Sequence, residues 1–369
     1  MANTRLRVAV WSTGGIGSIA IRTIQQRSEL ELVGVWVHSA DKAGRDVGEI
    51  LGMEPIGIIA TDDADALIEL RPDCIVYAAN PPERDAASVP DYAKFLAAGI
   101  NLVSTSATPA TYPPAYLPEW VSILTAAAQA GQASFYASGI EPGFAADHLP
   151  LLLATQSSSI TKVHAYEIGL YDDYPTASVL MDAMGFGRPL DFEPAIAQPG
   201  AILWSWGGSV RMIADALGVK LDGMRETFER LPTPRTLEVA CGTLEAGTCG
   251  ALRLQAIGVV GDRDAIIIEH VTRMASDLAP EWPTSKRDVG YIIEIEGVPN
   301  IHCEYGLSLA DPAAAGVPGM DAGAGAMVAT AMRVVNAIPY VVAARPGLLS
   351  SLDLPLTIPR GAFAKGGQA

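Results

Sequence analysis

The chain has 369 residues, 49% apolar and 18% charged, which suffices for a large core and is a natural length for two domains. Acidic residues outnumber basic ones 41 to 25, and the net charge of −16 argues against nucleic acid or an anionic membrane as partner. The four cysteines, Cys74, Cys241, Cys249 and Cys303, are scattered without a C-x-x-C pair, and they read as reduced thiols of a cytoplasmic protein.

The first apolar run, "LRVAVW" (6–11), reads as a strand so early that no signal peptide is expected. It leads into Ser12, Thr13, Gly14, Gly15, Ile16 and Gly17, a G-x-G-x-x-G pattern with Ser12 at its first position. In the helix that follows, Ile16, Ile19, Ala20, Thr23 and Ile24 share one face. "ELVGVWVHS" (31–39) is the next strand, so strand, turn, helix and strand make a βαβ unit. In that context the turn is a dinucleotide site. Gly14 lets the backbone approach a pyrophosphate, Gly17 lets helix and strand pack closely, and the helix N terminus supplies N–H groups. An NAD site usually has Asp or Glu at the end of the second strand to hold the ribose. Here His38 and Ser39 stand there, with Lys42 and Arg45 beyond. NADP is therefore the expected cofactor, and Asp41 keeps NAD possible.

The alternation continues through strands at 73–80, 100–106 and 133–139 and helices at 91–99 and 117–131. Residues 1–150 thus predict an α/β domain, a Rossmann-type doubly wound parallel sheet. Ligands bind at the carboxyl ends of such strands. This directs Ala78, Ala79 and Asn80 to the nicotinamide ribose, and Ser104 and Ser106 to the nicotinamide ring.

Residues 151–322 read as an α+β substrate and dimerisation domain with a mostly antiparallel sheet. "ITKVHAYEIGLY" (160–171) is a two-faced strand, 209–218 an amphipathic helix, and "GDRD" and "EGVPN" are turns between further strands. The apolar strands of 236–309 need cover, which predicts a homodimer through this sheet. Residues 323–369 are expected to return to the first domain as a helix and tail. Arg333, Asn336 and Pro339 interrupt the apolar stretch there, so it reads as a buried helix and not a membrane span. Asn336 is a candidate to hold the nicotinamide carboxamide.

The order of the glycine turn, "VWVHS", "NLVSTSA", "GIEPGF" and "MRVVNAIP" resembles the dihydrodipicolinate-reductase-like enzymes. Within them it is most similar to the 2,4-diaminopentanoate dehydrogenases and native amine dehydrogenases. The resemblance implies NAD(P) binding, a Rossmann domain with an α+β substrate and dimer domain, and reversible reductive amination of a carbonyl. It also implies a glutamate in the loop that leaves "NLVS", to hold the amine. That loop here reads Ser104, Thr105, Ser106, Ala107, Thr108, with no carboxylate, and Glu141 stands where the family turn would have Asn.

Hydride transfer requires the protein to orient the reacting carbon and manage one proton. Candidates for the proton are Glu141, His148 and Tyr166, then Glu167, Asp172 and Asp173. Tyr166 and Glu167 face opposite sides of their strand, so at most one enters a pocket. The five histidines show no metal-binding spacing and no G-x-S-x-G elbow exists, so neither a metal nor a serine triad is expected. The leading reading is an NAD(P)H-dependent oxidoreductase acting on a small carbonyl, imine or amine. A ketone or aldehyde reductase that ignores ammonia and a non-catalytic dinucleotide sensor are the alternatives.

Overall fold

The apolar runs of the first half become parallel strands, the geometry that buries a strand on both faces. In the computed structural model, which describes residues 5–79, 85–321 and 323–363, β1 (Leu6–Trp11), α1 (Gly15–Gln26) and β2 (Leu30–Trp36) come first. Two short helices, α2 (Val47–Ile50) and α3 (Ala64–Glu69), precede β3 (Cys74–Tyr77). Then follow α4 (Asp85–Ala97), β4 (Asn101–Ser104), α5 (Pro118–Gly131) and β5 (Ser134–Ala137). Every residue of β3 and β5 is buried. Helix α4 starts six residues earlier than the 91 expected, because Pro90 lies inside it instead of ahead of it. Beneath the sheet, α1 buries Gly17, Ile19, Ala20, Ile21 and Ile24, while Ile16 and Thr23 are half-buried.

The second region is organised around longer strands. After α6 (His148–Ala154) and β6 (Ser159–Leu170) comes α7 (Ala201–Ala216), which starts eight residues before the expected 209. The strands β7 (Gly223–Pro232), β8 (Leu237–Val239), β9 (Gly242–Leu244), β10 (Cys249–Val260), β11 (Arg263–Arg273), β12 (Val289–Val298) and β13 (Ile301–Gly306) follow. Five of them join β6 in a sheet ordered β13-β12-β6-β11-β10-β7, and β8 pairs with β9. The sheet is antiparallel except where β6 runs parallel to β11. That one parallel pair sets Glu167 beside His270 and Tyr166 beside Glu269. Val163, Ala165, Leu254, Ile268 and Ile293 pack with Val210 and Ile213 of α7 in one core. On the opposite face Ile168, Ile267 and Val271 are already buried in the single chain. Val298 at the end of β12, by contrast, is 61% exposed.

The chain then forms α8 (Ala324–Val335), α9 (Ile338–Val342) and β14 (Gly347–Leu349). The 324–342 stretch is long and apolar enough to cross a membrane, yet Val334, Val335, Ala337, Ile338 and Val341 lie in one core with β1 and α1 residues. Strand β14, which the sequence pattern did not reveal, pairs parallel to β5 and completes a sheet ordered β14-β5-β4-β3-β1-β2. The chain divides into two compact units, Met1–Gly139 with Met327–Ala369, and Ile140–Ala326. Residues 140–150 fall in the second unit, where the sequence put them in the first. Buried Asp147 explains this, accepting from Gly143 N–H at 2.9 Å and from the Ser209 hydroxyl of α7 at 2.8 Å.

Candidate active site

Two sites are distinguishable, one in each unit. In the first, the backbone of Ser12 has φ 109°, a left-handed conformation that explains why the motif prefers glycine there. Ser12 Oγ compensates in part by accepting Gly14 N–H at 3.0 Å. A Cβ on Gly17 would lie 2.1 Å from the Ser12 carbonyl oxygen, so only glycine lets α1 start this close to β1. No side chain caps α1, and its first-turn N–H groups, including those of Gly15, Ile16 and Gly17, lack intrahelical partners. This is a cradle with the donors that a pyrophosphate needs, so the residues fit a dinucleotide. Lys42 brings its ammonium to Thr13 Oγ1 at 3.4 Å, beside the turn. His38 is exposed and Ser39 half-buried at the end of the β2 segment. Asp41 is exposed, and Asp46 is committed to the N–H groups of Gly48, Ile56 and Gly57.

The remaining cofactor candidates divide. Ala78 N–H donates to the Trp11 carbonyl at the carboxyl edge of the sheet, and the Ser106 hydroxyl donates to the Ala79 carbonyl. Asn80 lies outside the described residues. Ser104 is turned inward: it is fully buried, pairs with the Tyr92 hydroxyl at 3.1 Å and accepts Ser106 N–H at 3.0 Å. Asn336 is at the wrong end. Its Oδ1 accepts from Arg27 at 3.0 Å, and Arg27 closes the C terminus of α1, about 18 Å along the helix from the glycine turn.

In the second unit, Glu141 from the loop after β5, Glu167 on β6 and His270 on β11 converge. His270 Nε2 lies 2.9 Å from Glu141 Oε2, and the side chain of Glu141 is only 2% exposed. The indole N–H of Trp206, on α7, donates to the same Oε2 at 2.6 Å, and the Tyr171 hydroxyl donates to Glu167 Oε1 at 2.6 Å. Glu141 Oε1 is buried with no hydrogen-bond partner among the described residues. The same holds for the hydroxyl of Tyr291, which faces Glu167 across β12 and β6. Burial opposes a charge on His270, but the carboxylates of Glu141 and Glu167 outweigh it and hold the imidazolium up to about 9. Burial raises Glu167 above the usual carboxylate range, against the pull of His270. Two carboxyl groups thus share one imidazolium in a site walled by aromatic rings.

Residues 6–106 match the family model "Dihydrodipicolinate reductase, N-terminus", and residues 144–365 match "2,4-diaminopentanoate dehydrogenase C-terminal domain". The chain belongs to the 2,4-diaminopentanoate dehydrogenase family. It is an NAD(P)-dependent oxidoreductase. An amine dehydrogenase of Streptomyces virginiae is 36% identical over 95% of this enzyme and 96% of its own length. The 2,4-diaminopentanoate dehydrogenase of Acetoanaerobium sticklandii is 25% identical over 95% and 94%. The solved amine dehydrogenase of Mycobacterium smegmatis has the same fold, with a TM-score of 0.75 at 21% identity, covering 96% of the enzyme and 97% of that chain.

Of the proton candidates, Glu141 and Glu167 join the cluster, and Tyr166 and His148 do not. Tyr166 points to the opposite sheet face, stacking on His164 at 3.8 Å and donating to Glu294 at 3.3 Å. There Glu269 is fully buried, accepting from His164, Arg253 and Gln255; burial opposes its charge, but these bonds depress it to about 2. His148 starts α6 with its ring 6.1 Å from that of Phe144, outside the cluster. Sequence reasoning missed Trp206, Tyr171, Tyr291 and the role of His270. A signal existed for two members: Glu167 and His270 continue the otherwise apolar strand faces Val163–Ala165 and Ile266–Ile268 at two-residue spacing. The metal expectation needs correction in its reasoning. Glu141, Glu167 and His270 bring ligand-type atoms within 4.8 Å of one another, which spacing along the chain cannot exclude.

Proposed function

We propose that this enzyme interconverts a small primary amine and the corresponding carbonyl compound, using NADP. The observation that carries the reading is the buried cluster of Glu141, Glu167 and His270, two carboxyl groups to one imidazole, with a carboxyl oxygen left unpaired. A protonated amine supplies the N–H donors it lacks. Glu141 takes the task that the missing loop carboxylate has in the family. It accepts the proton from the amine nitrogen, and the imidazolium of His270 returns a proton. The dinucleotide, when bound, supplies or takes up the hydride. The name of the Streptomyces virginiae relative supports this chemistry. Lys42 beside Thr13, with no free carboxylate at the Ser39 position, supports NADP over NAD.

A ketone or aldehyde reductase that makes alcohols is the rival reading, favoured by the loop Ser104–Thr108 without a carboxylate. NADPH oxidation with a panel of ketones and aldehydes, with and without ammonium, separates them. Amination requires turnover that rises with ammonium and an amine product. Equal rates without ammonium and an alcohol product would assign the reductase.

A further inference from the structure

Among the described residues, two of the buried polar atoms of the second unit that have no partner belong to one cluster: Glu141 Oε1 and the hydroxyl of Tyr291. Tyr291 is 1% exposed, and its ring neighbours Tyr305 at 5.7 Å. It is the cross-strand partner of Glu167, and the charges of Glu167 and Glu141 both bear on its phenol. A buried polar group left without a partner costs about 1–3 kcal/mol, so two of them in one place mark where a ligand completes the bonding. They are also of opposite kind. A carboxylate oxygen can only accept, whereas the phenol, with both lone-pair directions and its proton free, can donate. Burial and these two carboxylates disfavour the phenolate, which keeps that proton in place.

We propose that Tyr291 is a catalytic residue that holds the substrate oxygen while Glu141 holds the nitrogen on the same carbon. This rests on the amine reading above and adds the step it leaves open, the exchange of oxygen for nitrogen. When ammonia adds to the carbonyl carbon, a C–N bond forms and the C=O π pair moves onto oxygen. Glu141 takes a proton from the nitrogen, His270 gives one to the oxygen to make a hydroxyl and is recharged by Glu141 across their 2.9 Å contact, giving an amino alcohol on one carbon. A second proton, from His270, then leaves with that oxygen as water as the C–O bond breaks and the nitrogen lone pair forms C=N. Tyr291 donates to the oxygen throughout, and Glu141 Oε1 accepts from the nitrogen.

A primary carboxamide carries N–H and C=O on one carbon and cannot react, so butyramide is the first probe. Titration calorimetry on the full-length enzyme should show butyramide binding. Affinity should fall about tenfold in Tyr291→Phe and in Glu141→Gln, and the N,N-dimethyl amide should bind more weakly than butyramide. Tyr291→Phe removes a hydroxyl that has no partner, so its melting temperature should not fall. The second readout compares a ketone plus ammonium with 2-methyl-1-pyrroline, an imine that loses no water. Tyr291→Phe should slow the ketone reaction about 100-fold and the imine reaction less than about threefold. Absence of butyramide binding, an affinity unchanged in Tyr291→Phe, or equal losses on both substrates would overturn the assignment. If the wild type binds butyramide through Tyr291 but aminates no ketone, the amine reading falls while the paired N/O site stands.

Discussion

Six consecutive residues, 12–17, make the cofactor turn of the first unit, whereas the cluster of the second draws Glu141, Glu167, Trp206, His270 and Tyr291 from a loop, a helix and three strands. The turn works with backbone: its N–H groups, a glycine that admits the Ser12 carbonyl and a helix start. The cluster works with side chains, whose charges are set by one another in a dry setting. Damage to the first should therefore appear in cofactor binding and stability, and damage to the second in turnover.

The largest effect expected is that of Glu141→Gln. It keeps the shape of the side chain but loses the charge, and general acid–base contributions are about 10²- to 10⁴-fold. Turnover should fall by that order while the NADPH dissociation constant, measured by fluorescence titration, stays within about twofold. A variant that is active but melts earlier would make Glu141 structural and blur the comparison.

Gly17→Ala is the counterpart in the turn. Its Cβ would meet the Ser12 carbonyl oxygen at 2.1 Å, and overpacking of this kind costs about 1–3 kcal/mol. Urea unfolding should show the loss and NADPH should bind more weakly, with kcat at saturating cofactor less affected than KM for the cofactor.

The pH dependence tests the charge balance of the cluster. His270 is raised from 6.5 to about 9, so its stabilising contribution is fully present below pH 6.5 and is lost as pH rises through 9. The rate in the aminating direction should fall above pH 9 on a limb that His270→Gln removes. Persistence of that limb in the variant would assign it to another group.

Ser39→Asp is the smallest change. A carboxylate at that position repels a 2′-phosphate, and NADP affinity should drop about tenfold, equivalent to about 1.4 kcal/mol, with NAD affinity unchanged or improved. Tighter binding of NAD than NADP by the wild type would remove the phosphate-site reading.

Sequence alone determined the first unit well, because its signals are local. A strand, a glycine turn and an amphipathic helix report themselves within thirty or so residues, through propensity and periodicity. The same logic found the two-faced strand that carries Glu167, and the carboxylate at 141. It could not find β14, only three residues long, whose place depends on pairing with β5. Nor could it see that Ser104 turns inward or that Asn336 bonds Arg27 at the far end of α1. The cluster was decided by tertiary structure. The parallel register of β6 and β11 sets Glu167 beside His270, 103 positions apart in sequence. Buried Asp147 ties the 141–147 loop to α7 through Ser209, three residues after Trp206, whose indole then reaches Glu141. Charges become neighbours only when the core packs, and no period in the chain encodes which ones will meet.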